Sequence, residues 1–254
     1  MSNQPLAKRD TFKEQSYFDK QVEYNAETLR KFEEKIADAT TSQEHRRRLR
    51  YTVFRRRLEQ LITRYSRGEA VHTLRGSFPE IVEALSACQR EPRNKGFDFG
   101  ELDAYVYALW LVSLGFLLDI DETLIRTLLK ELGNEGTDAL FERLVSSKIS
   151  GRPNSKLLVH PNPYQILLEA ANSKGELQIQ LIQKFLSGYY TGMRQTYWHD
   201  SHLGEDAGFF GYWCFELAAL VKVLGINDDA FSHNVFYPVD LVRSSKTFGG
   251  FGSP

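Results

Sequence analysis

The sequence predicts an all-α protein, and three observations carry that expectation. Apolar residues recur at three- and four-residue intervals along nearly all of the 254 residues, the period of one helix face. The apolar–polar alternation of a half-buried strand is almost missing, although ordinary domains hold roughly a fifth of their residues in strands. Start and stop signals divide the chain into about ten helical segments.

Val22, Leu29, Phe32 and Ile36 mark a first amphipathic helix, and Tyr51, Phe54, Leu58, Leu61 and Tyr65 form the apolar seam of a second. Between them, Thr41-x-x-Glu44 has the form of a capping box, in which each side chain satisfies an orphaned backbone N–H. The two segments read as an antiparallel helical hairpin. Ser77-x-x-Glu80 has the same form, with Pro79 in a first turn where its missing N–H does no harm. It opens a short helix with Phe78, Ile81, Val82 and Leu85 on one face. The polar stretch 90–96, with Pro92, Asn94 and Gly96, reads as a linker.

Asp98 and Glu101 introduce the most apolar run, residues 104–118. A membrane span needs about 20 such residues, so this is a buried core helix. Asp121 caps the next helix, whose face is Leu124, Ile125, Leu128, Leu129 and Leu132, and Gly133 ends it. Residues 138–149 give another helix, and 151–163, with three prolines, a loop. Further helices are expected over 163–171, from Ser173-x-x-Glu176 to Tyr189, and over 208–224. The organisation predicted is an N-terminal helical domain over 1–95, a larger C-terminal helical domain over 96–243, and a flexible tail over 244–254.

The N-terminus has no apolar stretch able to serve as a secretory signal. Two cysteines, Cys88 and Cys214, both inside apolar runs, make a disulfide framework unnecessary and point to a reducing cytoplasm. The net charge of −1 divides unevenly, at +5 over residues 1–100 and −6 over 101–254, which suits partners of different charge. No Gly-rich phosphate loop, GxSxG elbow, HExxH or CxxC pair is present.

The most site-like cluster is Trp198-His199-Asp200-Ser201-His202. On a helix, His199 and His202 would share a face and Asp200 could add a carboxylate, but a metal-dependent hydrolase would need a further ligand from elsewhere. Histidines hydrogen-bonded beside a buried Trp are the plainer reading, so no catalytic residue, metal or cofactor is expected. Glu216 lies within an apolar run, 209–221. A buried carboxylate there requires an Arg, His or Tyr partner, with His199 and His202 as candidates. The arginines of 46–57 (Arg46, Arg47, Arg48, Arg50, Arg55, Arg56 and Arg57) admit a nucleic-acid-binding alternative. Glu33, Glu34 and Asp38 are near enough in the hairpin to pair with them instead. Asp119, Asp121, Glu122, Asp200, Glu205, Asp206, Asp228 and Asp229 fall at expected helix ends and loops. They read as caps, as an acidic surface for a basic partner, or as both.

The last third carries a recognisable pattern: YWHDSH at 197–202, FGYWCFELAALVKVLGINDD at 210–229 and FYPVDLV at 236–242. It resembles the C-terminal domain of the PoNe-immunity (PoNi) family, and 108–121 is similar to that domain's first helix. Residues 9–24 are similar to the opening of the helical domain that precedes it. The resemblance implies an immunity protein that binds and neutralises a cognate DNase toxin of the PD-(D/E)xK class, commonly delivered by type VI secretion. It implies no catalytic residues and a one-to-one protein partner in the bacterial cytoplasm, with no membrane and no direct nucleic-acid contact. Trp198, His202, Tyr212, Trp213, Glu216, Tyr237, Pro238 and Asp240 would form the fold. Asp119, Asp121, Asp200, Glu205, Asp206, Asp228 and Asp229 are the expected toxin-facing carboxylates, covering its basic DNA groove.

Overall fold

The computed structural model describes residues 7–90, 97–205 and 208–244, and among them the chain forms ten helices and no strand. These are α1 (Gln15–Ala37), α2 (Gln43–Arg67), α3 (Val71–Gln89), α4 (Leu102–Leu117), α5 (Glu122–Leu132), α6 (Ala139–Val145), α7 (Pro161–Asn172), α8 (Gly175–Gly192), α9 (Phe215–Leu224) and α10 (Val239–Arg243).

Side-chain ladders set the register of the first three helices. Arg46 donates to the Asp38 and Ala39 carbonyls beside the α1–α2 turn, Arg56 to Asn25 Oδ1 midway, and Arg67 lies 3.8 Å from Asp19 at the far end. Partner numbers fall as α2 numbers rise, so the pair is antiparallel. Arg57 with Glu80 and Arg64 with Ser77 repeat the pattern between α2 and α3. The α4 helix is buried at every position from Tyr105 to Leu117. A helix apolar all round must be covered on all sides; α9 runs along it, with α5 and α6 packed on its other faces. Phe54, Leu58 and Ile62 of α2 share one continuous core with Trp110 and Leu114 of α4 and Phe215 of α9. Each such side chain contributes about 1.5–3 kcal/mol on burial.

The structure corrects several sequence expectations. The α2 cap is Ser42, whose side chain accepts from His45 N, and not Thr41. Ser77 starts no helix: its hydroxyl accepts from Arg64, and α3 begins six residues earlier and runs through Pro79. Ser173 closes α7 by donating to the Glu169 carbonyl and does not cap α8. The expected helix over 138–149 is helical only over α6, and residues 208–214 are non-helical, with Gly211 at φ +120°. A Cβ on Gly211 would lie 2.4 Å from both Ser66 Oγ and Trp213 Nε1. The close crossing of that segment over α2 therefore requires glycine. The linker at 90–96, apart from Arg90, and the tail after Ser244 fall outside the described residues. Cys88 and Cys214 are buried thiols without a disulfide. Among the described residues no helix is long and apolar enough to cross a membrane.

Candidate interaction surface

After α8 the chain makes a series of turns through residue 205, so His199 and His202 do not share a helix face. Trp198 anchors the turns by packing 5.4 Å from the Trp110 ring and 5.7 Å from Tyr212. The Tyr212 hydroxyl bonds His202 Nδ1 at 2.8 Å and accepts from His202 N at 3.1 Å. Trp213 donates from Nε1 to Ser66 Oγ at 2.8 Å, and Ser66 in turn donates to the Phe210 carbonyl. These bonds fasten the 209–213 segment to α2. At the C-terminal end, Pro238 precedes α10 and Tyr237 donates to Asp228. Asp240 pairs with Arg9 at 2.5 Å, and Arg9 also donates to the Tyr65 and Glu69 carbonyls. The N-terminal segment is thus tied to the last helix.

Glu216 is wholly buried, and its partner is the Tyr164 hydroxyl at 3.1 Å, not His199 or His202. Both histidines are engaged elsewhere, His199 stacked on Tyr190 at 4.2 Å and His202 hydrogen-bonded to the Tyr212 hydroxyl. Glu216 Oε2 has no hydrogen-bond partner among the described residues. Burial pushes the carboxyl up to about 7, against backbone and Tyr164 hydrogen bonds that favour the charged form.

The seven carboxylates expected to face a partner sit in unlike settings. Asp119, in the left-handed region at φ 51°, is largely enclosed and contacts Lys222 at 3.2 Å and Arg75 at 3.4 Å. Asp121 is exposed and caps α5 by accepting from Leu124 N. Asp200, also left-handed at φ 60°, keeps 57% of its side chain exposed. It accepts from Tyr190 at 2.5 Å, a bond that holds its carboxyl below the usual range. Glu205 is exposed, and Asp206 lies outside the described residues. Asp228 is buried between Tyr237 and Arg243, while its neighbour Asp229 is exposed, 3.6 Å from the same Arg243. Asp119 and Asp228 are therefore committed within the fold, and Asp121, Asp200, Glu205 and Asp229 remain available at the surface.

The arginines of α2 are mostly engaged within the helical bundle. Arg48 pairs with Glu44, Arg55 with Glu59, and Arg57 with both Glu33 and Glu80. Among the described residues no cluster of three or more His, Cys, Asp or Glu side chains is placed to hold a metal ion. Sequence reasoning missed a second polar cluster: Glu59, buried on α2, accepts from the hydroxyls of Tyr107 and Tyr197. The signal available was a lone acid between Leu58 and Leu61 on the apolar seam.

Residues 9–130 match the family model described as PoNe immunity protein (PoNi), N-terminal, and residues 136–241 match that described as PoNe immunity proteins (PoNi), C-terminal. Among solved structures, protein PA2201 from Pseudomonas aeruginosa is similar with a TM-score of 0.70 at 19% identity, over 94% of this chain and 90% of that one. That likeness is one of fold. No curated protein matches the chain.

Proposed function

The chain belongs to the PoNe immunity protein (PoNi) family, and on that premise we propose that it binds a cognate DNase toxin and keeps it from its substrate. The observation that carries this reading is the ordered match of both family halves, together spanning residues 9–241. The physical chemistry supports it. A DNase groove must be basic to hold phosphates, so an inhibitor gains steering and affinity by presenting carboxylates. Asp200 and Glu205 stand exposed on turns pinned from beneath by Trp198 and His202, and Asp200, held by the Tyr190 hydroxyl, loses little entropy on docking. The protein acts as a one-to-one stoichiometric inhibitor and not as an enzyme. It works in the bacterial cytoplasm, where a toxin delivered by type VI secretion would meet DNA.

The test is calorimetry of the full chain against a catalytically disabled PoNe-type toxin domain, with survival of cells expressing the active toxin. Tight one-to-one binding with rescue is expected. The combined change Asp200→Asn, Glu205→Lys and Asp206→Lys, in which Asn tolerates the left-handed backbone, should weaken binding about tenfold or more, mainly through slower association. Unchanged affinity would remove these carboxylates from the contact.

A further inference from the structure

Two of the exposed large apolar side chains, Tyr51 and Tyr197, each 46% exposed, flank the same guanidinium. Arg55 lies 5.2 Å over the Tyr197 ring, and Tyr51 stands one turn before Arg55 on α2, on the same helix face. Tyr197 is held firmly for a surface residue. Its hydroxyl bonds both Glu59 and Tyr107, and its backbone N–H donates to Asp103 Oδ1 at 3.2 Å. Arg55 lies 3.5 Å from the Glu59 carboxylate. Beside Tyr51 opens a hollow of about 170 Å³, floored by Leu85, Cys88, Phe97 and Ala104 and edged by Asp98.

A Tyr–Arg–Tyr cluster whose Tyr197 is held by three hydrogen bonds, beside an apolar hollow that Tyr51 lines, has the make-up of an interface centre, where a pre-ordered side chain costs little to dock. The charge around them selects the occupant. Asp98 accepts from Gly100 N, Asp103 accepts from Tyr197 N with Arg55 near enough to favour its charged form, and Glu101 is exposed. These carboxylates at the start of α4 repel phosphates and attract a cationic protein surface. Tyr197 is also continuous in sequence with the turns that carry Asp200 and Glu205.

We propose that the Tyr51–Arg55–Tyr197 face, with its hollow and carboxylate edge, receives a basic segment of the nuclease partner. The segment places an apolar side chain in the hollow and an Arg or Lys against Asp98, Glu101 and Asp103. This rests on the immunity reading above and names the contact that reading left open.

The test uses the full chain with Tyr51→Ala and Glu101→Lys, titrated against the same disabled toxin domain, with circular dichroism and thermal midpoints verifying the fold. Each change should weaken binding about tenfold or more, while Leu177→Ala, which removes an exposed apolar side chain on α8, leaves it unaltered. Tight binding by the unaltered chain with no loss in either variant overturns the face and leaves the immunity reading standing. Failure of the unaltered chain to bind removes both. Self-association of the unaltered chain in sedimentation, lost on Tyr51→Ala, would assign the face to a second copy and overturn the proposal.

Discussion

At the scale of single residues, the burial of Glu216 carries a cost that pH makes measurable. A carboxyl raised from its ordinary 4.5 to about 7 by burial binds its proton more tightly in the fold than in the unfolded chain. Below pH 4.5 both states are protonated and the acid costs little. As pH rises from there toward 7, the unfolded chain releases the proton first, so stability falls through that window and levels off above it. The shift corresponds to about 3 kcal/mol. Glu216→Gln keeps the size and an acceptor for Tyr164 without the ionisation. Urea unfolding at a series of pH values should show the variant gaining on the wild type by up to about 3 kcal/mol between pH 4.5 and 8. A difference that does not change with pH would mean that the carboxylate is already charged within the fold.

At the scale of elements, α3 shows where local propensity yields to packing. Pro79 lies inside the helix with its ring exposed, where proline forfeits a backbone bond and costs about 3 kcal/mol against alanine. The helix persists because Phe78, Ile81, Val82 and Leu85 are buried at its spacing. Pro79→Ala should raise stability by about 1–2 kcal/mol, part of the gain being offset by the greater freedom of the unfolded chain. The denaturant midpoint measures it, and a lower midpoint would show that the proline ring contributes packing. The same contest explains what was legible in the sequence. Periodicity exposed α1, α2 and α5 because their buried faces recur regularly, while α4 stood out as one unbroken apolar run. Capping signals were read correctly at Asp121, where the short reach of the carboxylate to Leu124 N is local. They misled at Ser77, because its actual partner, Arg64, comes from another helix. The turns at 193–205 and the stretch 208–214 were unreadable for a similar reason. Their conformation is set by Trp110, Ser66 and Tyr212, contacts between distant residues that leave no local period. Glu216 was recognisable as a buried acid needing a partner, but nothing local identified Tyr164, 52 residues away, as that partner.

At the scale of the whole molecule, the two family matches meet between residues 130 and 136, yet the packing does not divide there. The α4 helix belongs to the first match and α9 to the second, and they cover each other along the centre of the core. Ser66 and Tyr65 of α2 hold Trp213, and Arg9 holds Asp240, so contacts between the two halves occur near both chain ends. A fragment of residues 136–254 would expose the α9 face that α4 buries, including Phe215, which packs 5.9 Å from Trp110, and would lose the anchor of its 209–213 segment. Such an apolar surface favours aggregation over independent folding. The expectation is a single coincident unfolding transition for the full chain, whether followed by tryptophan fluorescence or by far-ultraviolet circular dichroism. The 136–254 fragment alone should show no cooperative transition, and co-expression with residues 1–135 should restore a soluble complex that unfolds cooperatively. A sharp transition from the isolated fragment would establish that the second half is an autonomous domain and that α4 serves it only as a cover.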